Sequence, residues 1–195
     1  MDDDLRRTLI ALAEHDLAVR ARLAADGSLF RGYHPQMQAV HEANAAALET
    51  IIATRGWPTR EFVGEDGAEA AWLISQHAIG LPDFQRRSLA AQQSAAAAGQ
   101  VPAWQPAMLL DRIRNFEGKP QLYGTQFDWD DDGQLNPLPI ENPEGVDERR
   151  ASVGLPPLAS AIAEKRRSAA NERPPTDQKT RAREMAEWAK QVGWR

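Results

Sequence analysis

The sequence contains no cysteine in its 195 residues. This absence excludes disulfide bridges and thiolate metal ligands, and it suits a reducing compartment, so we expect a cytoplasmic protein. The chain also lacks a long apolar run, so we expect neither a secretory signal nor a membrane-spanning segment. Basic residues are fewer than acidic ones, 23 against 28. This balance argues against a general nucleic-acid-binding protein, which would usually carry a basic surplus.

What the chain does contain is the composition of a globular protein, with 42% hydrophobic and 26% charged residues. Apolar residues recur at helical spacing through most of its length. These stripes predict helices over residues 2–25, from 35 to 55, 66–78, from 82 into the alanine-rich run, 104–116, 147–153, from 156 onward, and 177–191. The fold class we predict is therefore mainly α.

The stretch from about 121 to 140 has a different pattern, with two extended runs around Asp132-Gly133. This pattern predicts a small β-hairpin, whose second run is an edge strand because it contains Pro137 and Pro139. We predict one helical domain over residues 1–171, with the hairpin packed against it. Residues 172–195 would form a linker and a C-terminal amphipathic helix.

Two of the predicted helices interrupt their apolar stripe with a polar residue. Asp16 lies between inward-facing leucine and valine positions, where an unpaired carboxylate would be costly. It could pair with Arg20 one turn later, or it could belong to a functional site. Asn44 interrupts the second helix in the same way, and it could hold a loop backbone or contact a ligand.

The segment 71–85, AWLISQHAIGLPDFQ, places Gln76 and His77 beside each other at the end of an apolar helix. The helix breaks at Gly80 and Pro82, and Gln85 follows in the first turn of the next one. Imidazole is the side chain best suited to exchange protons near neutral pH. We predict that His77 is catalytic and that Gln76 and Gln85 bind ligand, although His77 could instead be a satisfied core residue.

Arginines in the second half are candidates for neutralising an anionic ligand. Arg112 offers a planar set of donors, but it could equally form a salt bridge with Asp111. Arg149 and Arg150 are adjacent on a predicted helix and point about 100° apart, so at most one enters a site. We assign that role to Arg149.

The run QLYGTQF, residues 121–127, suits hydrogen-bond recognition. In a regular strand Gln121 and Thr125 share one face, and a bulge at Gly124 would rotate Gln126 onto it. We predict that Gln121, Thr125 and Gln126 bind ligand. The alternative is an ordinary exposed hairpin face.

Metal and cofactor signatures are weak in this sequence. Its four histidines are scattered, and it has no HExxH pattern, Rossmann glycine fingerprint, P-loop or GxSxG elbow. We therefore predict neither a metal site nor a cofactor.

Several short motifs occur together in order: GWP at 56–58, QHA at 76–78, FQ at 84–85, DR at 111–112, YGTQ at 123–126, and PIENP…VDERR…VGL at 139–155. Together with Asp16, Arg20 and Asn44, this arrangement resembles a bacterial family of unknown function over roughly residues 5–165. The resemblance implies no activity, but it implies that Gln76, His77, Arg112, Gln126 and Arg149 act as a set. The last helix falls outside it.

Three functions remain open from the sequence. The leading one is an enzyme that acts by hydrolysis or group transfer on a small, polar, anionic ligand. In this reading Asp16 or Glu141 orients His77, and the other predicted polar residues line the same cavity. The second is a non-catalytic binding or regulatory module, such as a sensor or an immunity-type partner, that contacts a protein or a second copy through helix 177–191. The third is that the polar residues only hold loops over a helical core.

Overall fold

The computed structural model describes residues 1–30, 32–130, 132–170 and 177–195. These residues form eight α-helices and one two-stranded sheet, which confirms the predicted mainly α fold. They fall into two compact units, residues 1–101 and 102–195. The domain boundary predicted at 171/172 lies outside the described residues, so the division into a domain and an appendage stays a prediction.

The first unit consists of four helices, which are α1 (Asp3–Ala25), α2 (Pro35–Arg55), α3 (Arg60–His77) and α4 (Pro82–Ala97), with a 3-10 turn at Ser28–Phe30. The Asp2 carboxylate caps α1 by accepting from the Leu5 amide. Proline occupies the first turn of both α2 and α4, where its missing N–H costs nothing. α3 begins six residues before its predicted start, because it continues through a kink at Gly64 (φ 76°).

The core of this unit lies where α1 packs on α2 and α3. Leu9, Leu48, Val63 and Ile74 are at most 1% exposed. Burial of each such side chain contributes about 1.5–3 kcal/mol, which is enough to fix the faces that the three helices turn inward. Polar residues on those faces are consequently held inside the bundle.

The second unit contains α5 (Trp104–Phe116), β1 (Phe127–Trp129), β2 (Leu135–Pro137), α6 (Val146–Ser152), α7 (Leu158–Ser168) and α8 (Gln178–Gln191), with a 3-10 turn at Pro143–Gly145. β1 and β2 pair antiparallel, with Asp128 opposite Asn136, which confirms the predicted hairpin over a shorter span. α7 packs against β2.

The apolar side of α8 is used within the second unit. The Trp188 ring meets the Phe116 ring edge-on with centroids 5.7 Å apart, and the Trp194 ring stacks on the same ring at 5.4 Å. Ala189 is 1% exposed. Trp188 of α8 and Trp194, which follows the helix, therefore pack the C-terminal segment onto Phe116 at the end of α5.

The predicted regular strand over Gln121–Phe127 is wrong. Residues 122–126 form bends and loop, and Gln121 makes an isolated bridge with Ile140. The cause is the Asp111 carboxylate, which draws backbone amides of this segment around itself. Gly124 adopts φ 64°, and a Cβ there would lie 2.8 Å from Ile140 and 2.9 Å from Leu158. This position therefore needs glycine for both its backbone conformation and its close packing.

None of the helices in the described ranges has both the length and the apolar character needed to cross a membrane.

Candidate active site

A buried carboxylate that contacts two imidazoles lies inside the first unit. Asp16, on α1, is 1% exposed. His77 Nδ1, at the end of α3, lies 3.0 Å from Asp16 Oδ1 and 3.1 Å from Oδ2. His41 Nε2, on α2, lies 3.3 Å from Asp16 Oδ2. Three helices thus each supply one titratable side chain to the same point.

Tyr33 extends this cluster on the far side of His41. Its hydroxyl lies 2.8 Å from His41 Nδ1, and the two rings stack with centroids 5.7 Å apart. The His41 and His77 rings are tilted neighbours at 5.6 Å. The imidazole of His41 is therefore held between a phenol and a carboxylate.

The environment sets the charge of Asp16 and Tyr33. Burial alone raises the pKa of Asp16, but the imidazoles of His41 and His77 lower it, and the net result is a pKa well below the usual range. Burial, assisted by the charges of Glu42 and Asp16, raises the pKa of Tyr33. At neutral pH the site consequently contains an ionised carboxylate and a protonated phenol.

This charge state decides which nitrogen of His77 carries a proton. An ionised carboxylate only accepts hydrogen bonds, so His77 Nδ1 must donate to Asp16. In the neutral imidazole the lone pair then lies on Nε2. The His77 side chain is 20% exposed, in contrast to 1% for the Asp16 side chain.

The end of α3 is fixed by side-chain amides of α4. Gln85 Nε2 donates to the backbone oxygens of Ser75 and Gln76, at 2.7 and 3.1 Å. Gln92 Nε2 donates to the Ser75 hydroxyl at 3.0 Å. The two Gln85 bonds satisfy carbonyls in the last turn of α3 and so position the backbone that carries His77.

Gln76 is buried at 3% exposure, and its side-chain nitrogen and oxygen have no hydrogen-bond partner in the described part of the chain. A buried amide without partners is costly. Gln76 therefore has both ends of its amide free for bonding. Gln85 has only Oε1 free in the described residues, because its nitrogen already donates to backbone oxygens.

Arg20 and Asn44 were predicted as residues that support the functional site, and the structure shows different positions for them. The predicted pair of Asp16 with Arg20 is wrong, because the carboxylate faces the histidines inside the bundle and Arg20 is exposed. Asn44 has the structural role that was one of its two predicted alternatives. Its Nδ2 donates to the Leu12 carbonyl at 3.1 Å and joins α2 to α1.

A second buried carboxylate, Asp111 on α5, organises the loop after α5 in the second unit. It is 0% exposed and accepts from the backbone amides of Leu122, Tyr123 and Thr125 at 2.7–3.1 Å. The Thr125 hydroxyl adds a bond of 2.9 Å. Asp111 is thus the inward member of the Asp111-Arg112 pair, and Arg112 is half-buried.

The predicted ligand-binding amides of this loop bond mainly to the loop itself. Gln121 is 1% exposed, and its Nε2 donates to the Gln126 and Leu138 carbonyls at 2.9 and 2.7 Å. Its Oε1 accepts from the Gln126 amide at 2.8 Å. Gln126 Nε2 contacts the Thr125 hydroxyl at 3.3 Å. Gln121 therefore ties the hairpin entry together.

Both arginines of α6 donate to backbone carbonyls. Arg149 binds the oxygens of Leu122, Glu141 and Asn142 at 2.7–2.9 Å. Arg150 is 2% exposed and binds the oxygens of Tyr123 and Pro156. The loops around α6 leave carbonyls without partners, and guanidinium groups satisfy them.

Glu141, the other candidate for orienting His77, forms an ion pair with Arg114. Its carboxylate belongs to the second unit, whereas Asp16 directly contacts the imidazole. The sequence-predicted residues therefore divide into a group around Asp16 and His77 in the first unit and a group around Asp111 in the second. A joint site of His77 with Arg112, Gln126 and Arg149 stays a prediction.

His41 and Tyr33 are the residues of the cluster that the sequence analysis missed. The signal for His41 was present, because Met37, His41, Asn44 and Leu48 follow steps of four, three and four and are all buried. Tyr33 precedes α2 in a turn, and no periodicity indicates where its side chain points.

The model of a family of unknown function, DUF6624, matches residues 3–168. The chain belongs to this family. No curated protein and no solved structure matches it. The DUF6624 match covers α1 to α7, hence both the Asp16 cluster and the Asp111 loop, and it agrees with the expected extent of about 5–165. Helix α8 lies outside the match, as expected.

Proposed function

We propose that the first unit contains the active site of an enzyme that catalyses hydrolysis or group transfer, with His77 as its general base and acid. The observation that carries this proposal is the hydrogen bond between His77 Nδ1 and the buried, ionised Asp16. A carboxylate in this position holds the His77 imidazole in one tautomer and one ring orientation. An imidazole paired with a carboxylate acts in this way in acyl transfer.

In the proposed mechanism, His77 Nε2 removes a proton from water or from a substrate hydroxyl. The deprotonated oxygen attacks the electrophilic centre, and the imidazolium forms next to the negative charge of Asp16. Nε2 then returns the proton to the leaving group. General acid–base catalysis of this kind contributes about 10²–10⁴-fold to a rate.

We propose a small, polar substrate, and we retain the sequence prediction that it is anionic. The unsatisfied amide of Gln76 supports the polar character, because it offers one acceptor and two donors that no described residue uses. Arg149 supports an anionic ligand less well than expected, since its guanidinium already binds three carbonyls. A cytoplasmic location is part of the same proposal.

The first test needs no substrate. Long-range proton–nitrogen NMR of the metal-free protein should show neutral His77 protonated at Nδ1, and Asp16→Asn should abolish that preference. A His77 that carries its proton on Nε2 in the wild-type protein would contradict the mechanism, because the basic nitrogen would then face Asp16.

The second test is turnover of chromogenic phosphate, acyl and glycosyl esters. His77→Ala should lower kcat on any accepted ester by at least about 100-fold. His15→Ala is the matched control, because His15 is an exposed histidine on α1 and should leave kcat unchanged. Equal turnover by the wild-type protein and the His77 variant would argue against the proposal.

The alternative, a non-catalytic binding or regulatory module, took its support from helix α8. Trp188 and Trp194 contact Phe116 within the same unit, so these aromatic side chains have an intramolecular use. Met185, at 37% exposure, is a large apolar residue of α8 that is accessible. Partner binding through α8 would be supported if removal of residues 174–195 changed assembly measured by light scattering.

A further inference from the structure

We propose that Asp16, His41 and His77 bind one divalent transition-metal ion, of the class to which Zn²⁺ belongs. This inference takes the proposed active site as its location, but it can be tested by binding alone. It departs from the sequence analysis, which predicted no metal because the histidines are scattered along the chain. Folding brings one ligand from each of α1, α2 and α3 to the same point.

The distances suit a common ion. One ligand atom from each residue can be chosen so that all three lie within 4.8 Å of one another. Asp16 oxygens lie 3.0 Å from His77 Nδ1 and 3.3 Å from His41 Nε2. With metal–ligand bonds of roughly 2.0–2.2 Å, adjacent ligand atoms of a tetrahedral site lie roughly 3.3–3.5 Å apart. The two histidine nitrogens lie within 4.8 Å of each other, so the imidazoles would have to rotate toward each other to hold an ion between the three groups.

His41 provides an independent indication of a ligand. Its Nε2 is buried, and its contact with the Asp16 carboxylate is long, at 3.3 Å. On the other side of the ring, Nδ1 contacts the Tyr33 hydroxyl at 2.8 Å. An imidazole whose far nitrogen is held by an oxygen is the usual arrangement of a metal-binding histidine, because the outer contact fixes ring orientation.

The chemistry of the donors selects the class of metal. Two imidazole nitrogens and one carboxylate suit Zn²⁺, Fe²⁺, Co²⁺ or Mn²⁺, whereas Mg²⁺ and Ca²⁺ prefer oxygen ligands. Three protein ligands leave a coordination position open, which is typical of catalytic rather than structural zinc sites. The positive charge of the ion would also balance the negative charge of Asp16, which the two imidazoles contact in the metal-free protein.

Metal binding changes the proton balance of His77. Its Nδ1 must become a lone-pair donor to the ion, so the proton moves to Nε2 and the imidazole stays neutral. His77 is then no longer a general base. An ion held by Asp16, His41 and His77 would supply Lewis-acid chemistry at the same location. The acid–base role proposed for His77 therefore applies to the metal-free protein.

The test is calorimetric titration of tag-free, chelator-treated protein with Zn²⁺, Co²⁺ and Mg²⁺. We expect one equivalent of Zn²⁺ or Co²⁺ to bind, and Mg²⁺ not to bind. His41→Gln should weaken Zn²⁺ binding at least about 100-fold, and Tyr33→Phe, which removes an outer contact, about 10–100-fold. His15→Ala is the control and should bind as the wild type does.

Two results would overturn the metal site. One is wild-type protein that does not bind Zn²⁺ or Co²⁺, and the other is His41→Gln that binds Zn²⁺ with wild-type affinity. If the His41 variant fails to fold by circular dichroism, X-ray absorption of zinc-loaded wild-type protein decides the question, since the site requires two imidazole ligands. These outcomes are separate from the NMR test of the metal-free His77 pair, so either proposal can fail alone.

Discussion

Replacement of Asp16 by asparagine should destabilise the protein strongly, because it removes the charge to which two imidazoles are bound. The side chain keeps its size, so no cavity forms. However, the asparagine amide offers one oxygen, whereas in the wild-type protein the imidazoles of His41 and His77 face both carboxylate oxygens. The amide also carries no charge. One of the two imidazoles must therefore lose its acceptor or change its tautomer.

The magnitude follows from the burial of the group. Asp16 is 1% exposed, and breaking a buried charged pair by removing one partner costs roughly 3–5 kcal/mol. For a chain of this length each 1 kcal/mol lowers Tm by about 2–4 °C, so we expect a decrease of at least about 6 °C. The urea midpoint should fall with an unchanged slope.

The same variant should change the dependence of stability on pH. The pKa of Asp16 is lowered in the folded state, so the unfolded chain binds more protons as the pH decreases. The contribution of Asp16 is therefore fully present above its ordinary pKa of about 4 and is lost as the pH falls below it. Between pH 5 and pH 3 the wild-type protein should lose more stability than Asp16→Asn.

Urea unfolding of chelator-treated protein, followed by circular dichroism at several pH values, measures both effects. Asp4→Asn is the matched control, because Asp4 is an exposed residue of the same helix and its carboxylate pairs with the exposed Arg7. It should leave the free energy of unfolding nearly unchanged. If the Asp16 variant had the same stability and pH slope as the Asp4 variant, the buried Asp16 charge and its imidazole contacts would not stabilise the fold.

Two further predictions concern the second unit. Asp111→Ala leaves buried backbone amides without an acceptor, which costs about 1–3 kcal/mol for each unsatisfied group. Amide hydrogen exchange in residues 120–126 should therefore accelerate. Unchanged protection of these amides would contradict an organising role for the Asp111 carboxylate. Gly124→Ala should cost at least about 2 kcal/mol in chemical unfolding, from its positive φ and from a Cβ within 2.8 and 2.9 Å of two side chains. Gly154→Ala is the control, because Gly154 has φ 76° but open space around it, and it should lower the free energy of unfolding less than Gly124→Ala does. Equal losses in the two variants would show that packing at position 124 is unimportant.

Much of the helical architecture could be read from the sequence, since it depends on local features. The apolar period, the acidic start of α1 and the prolines at the first turns of α2 and α4 all lie within a few residues of what they specify. The Asp-Gly turn predicted the hairpin for the same reason. The loop over 121–126 was predicted wrongly, because its conformation depends on Asp111, ten or more positions away in the chain.

For the candidate site, the sequence by itself determined that Asp16 and His77 occupy inward positions of their helices, because an interruption in an apolar stripe is a local pattern. It also determined that Asp16 would need a partner, because a buried charge is costly. Only the tertiary structure decided what that partner is. The choice of His77 and His41 over Arg20 depends on how three helices pack, and contacts 61 and 25 residues apart along the chain leave no periodic trace in it.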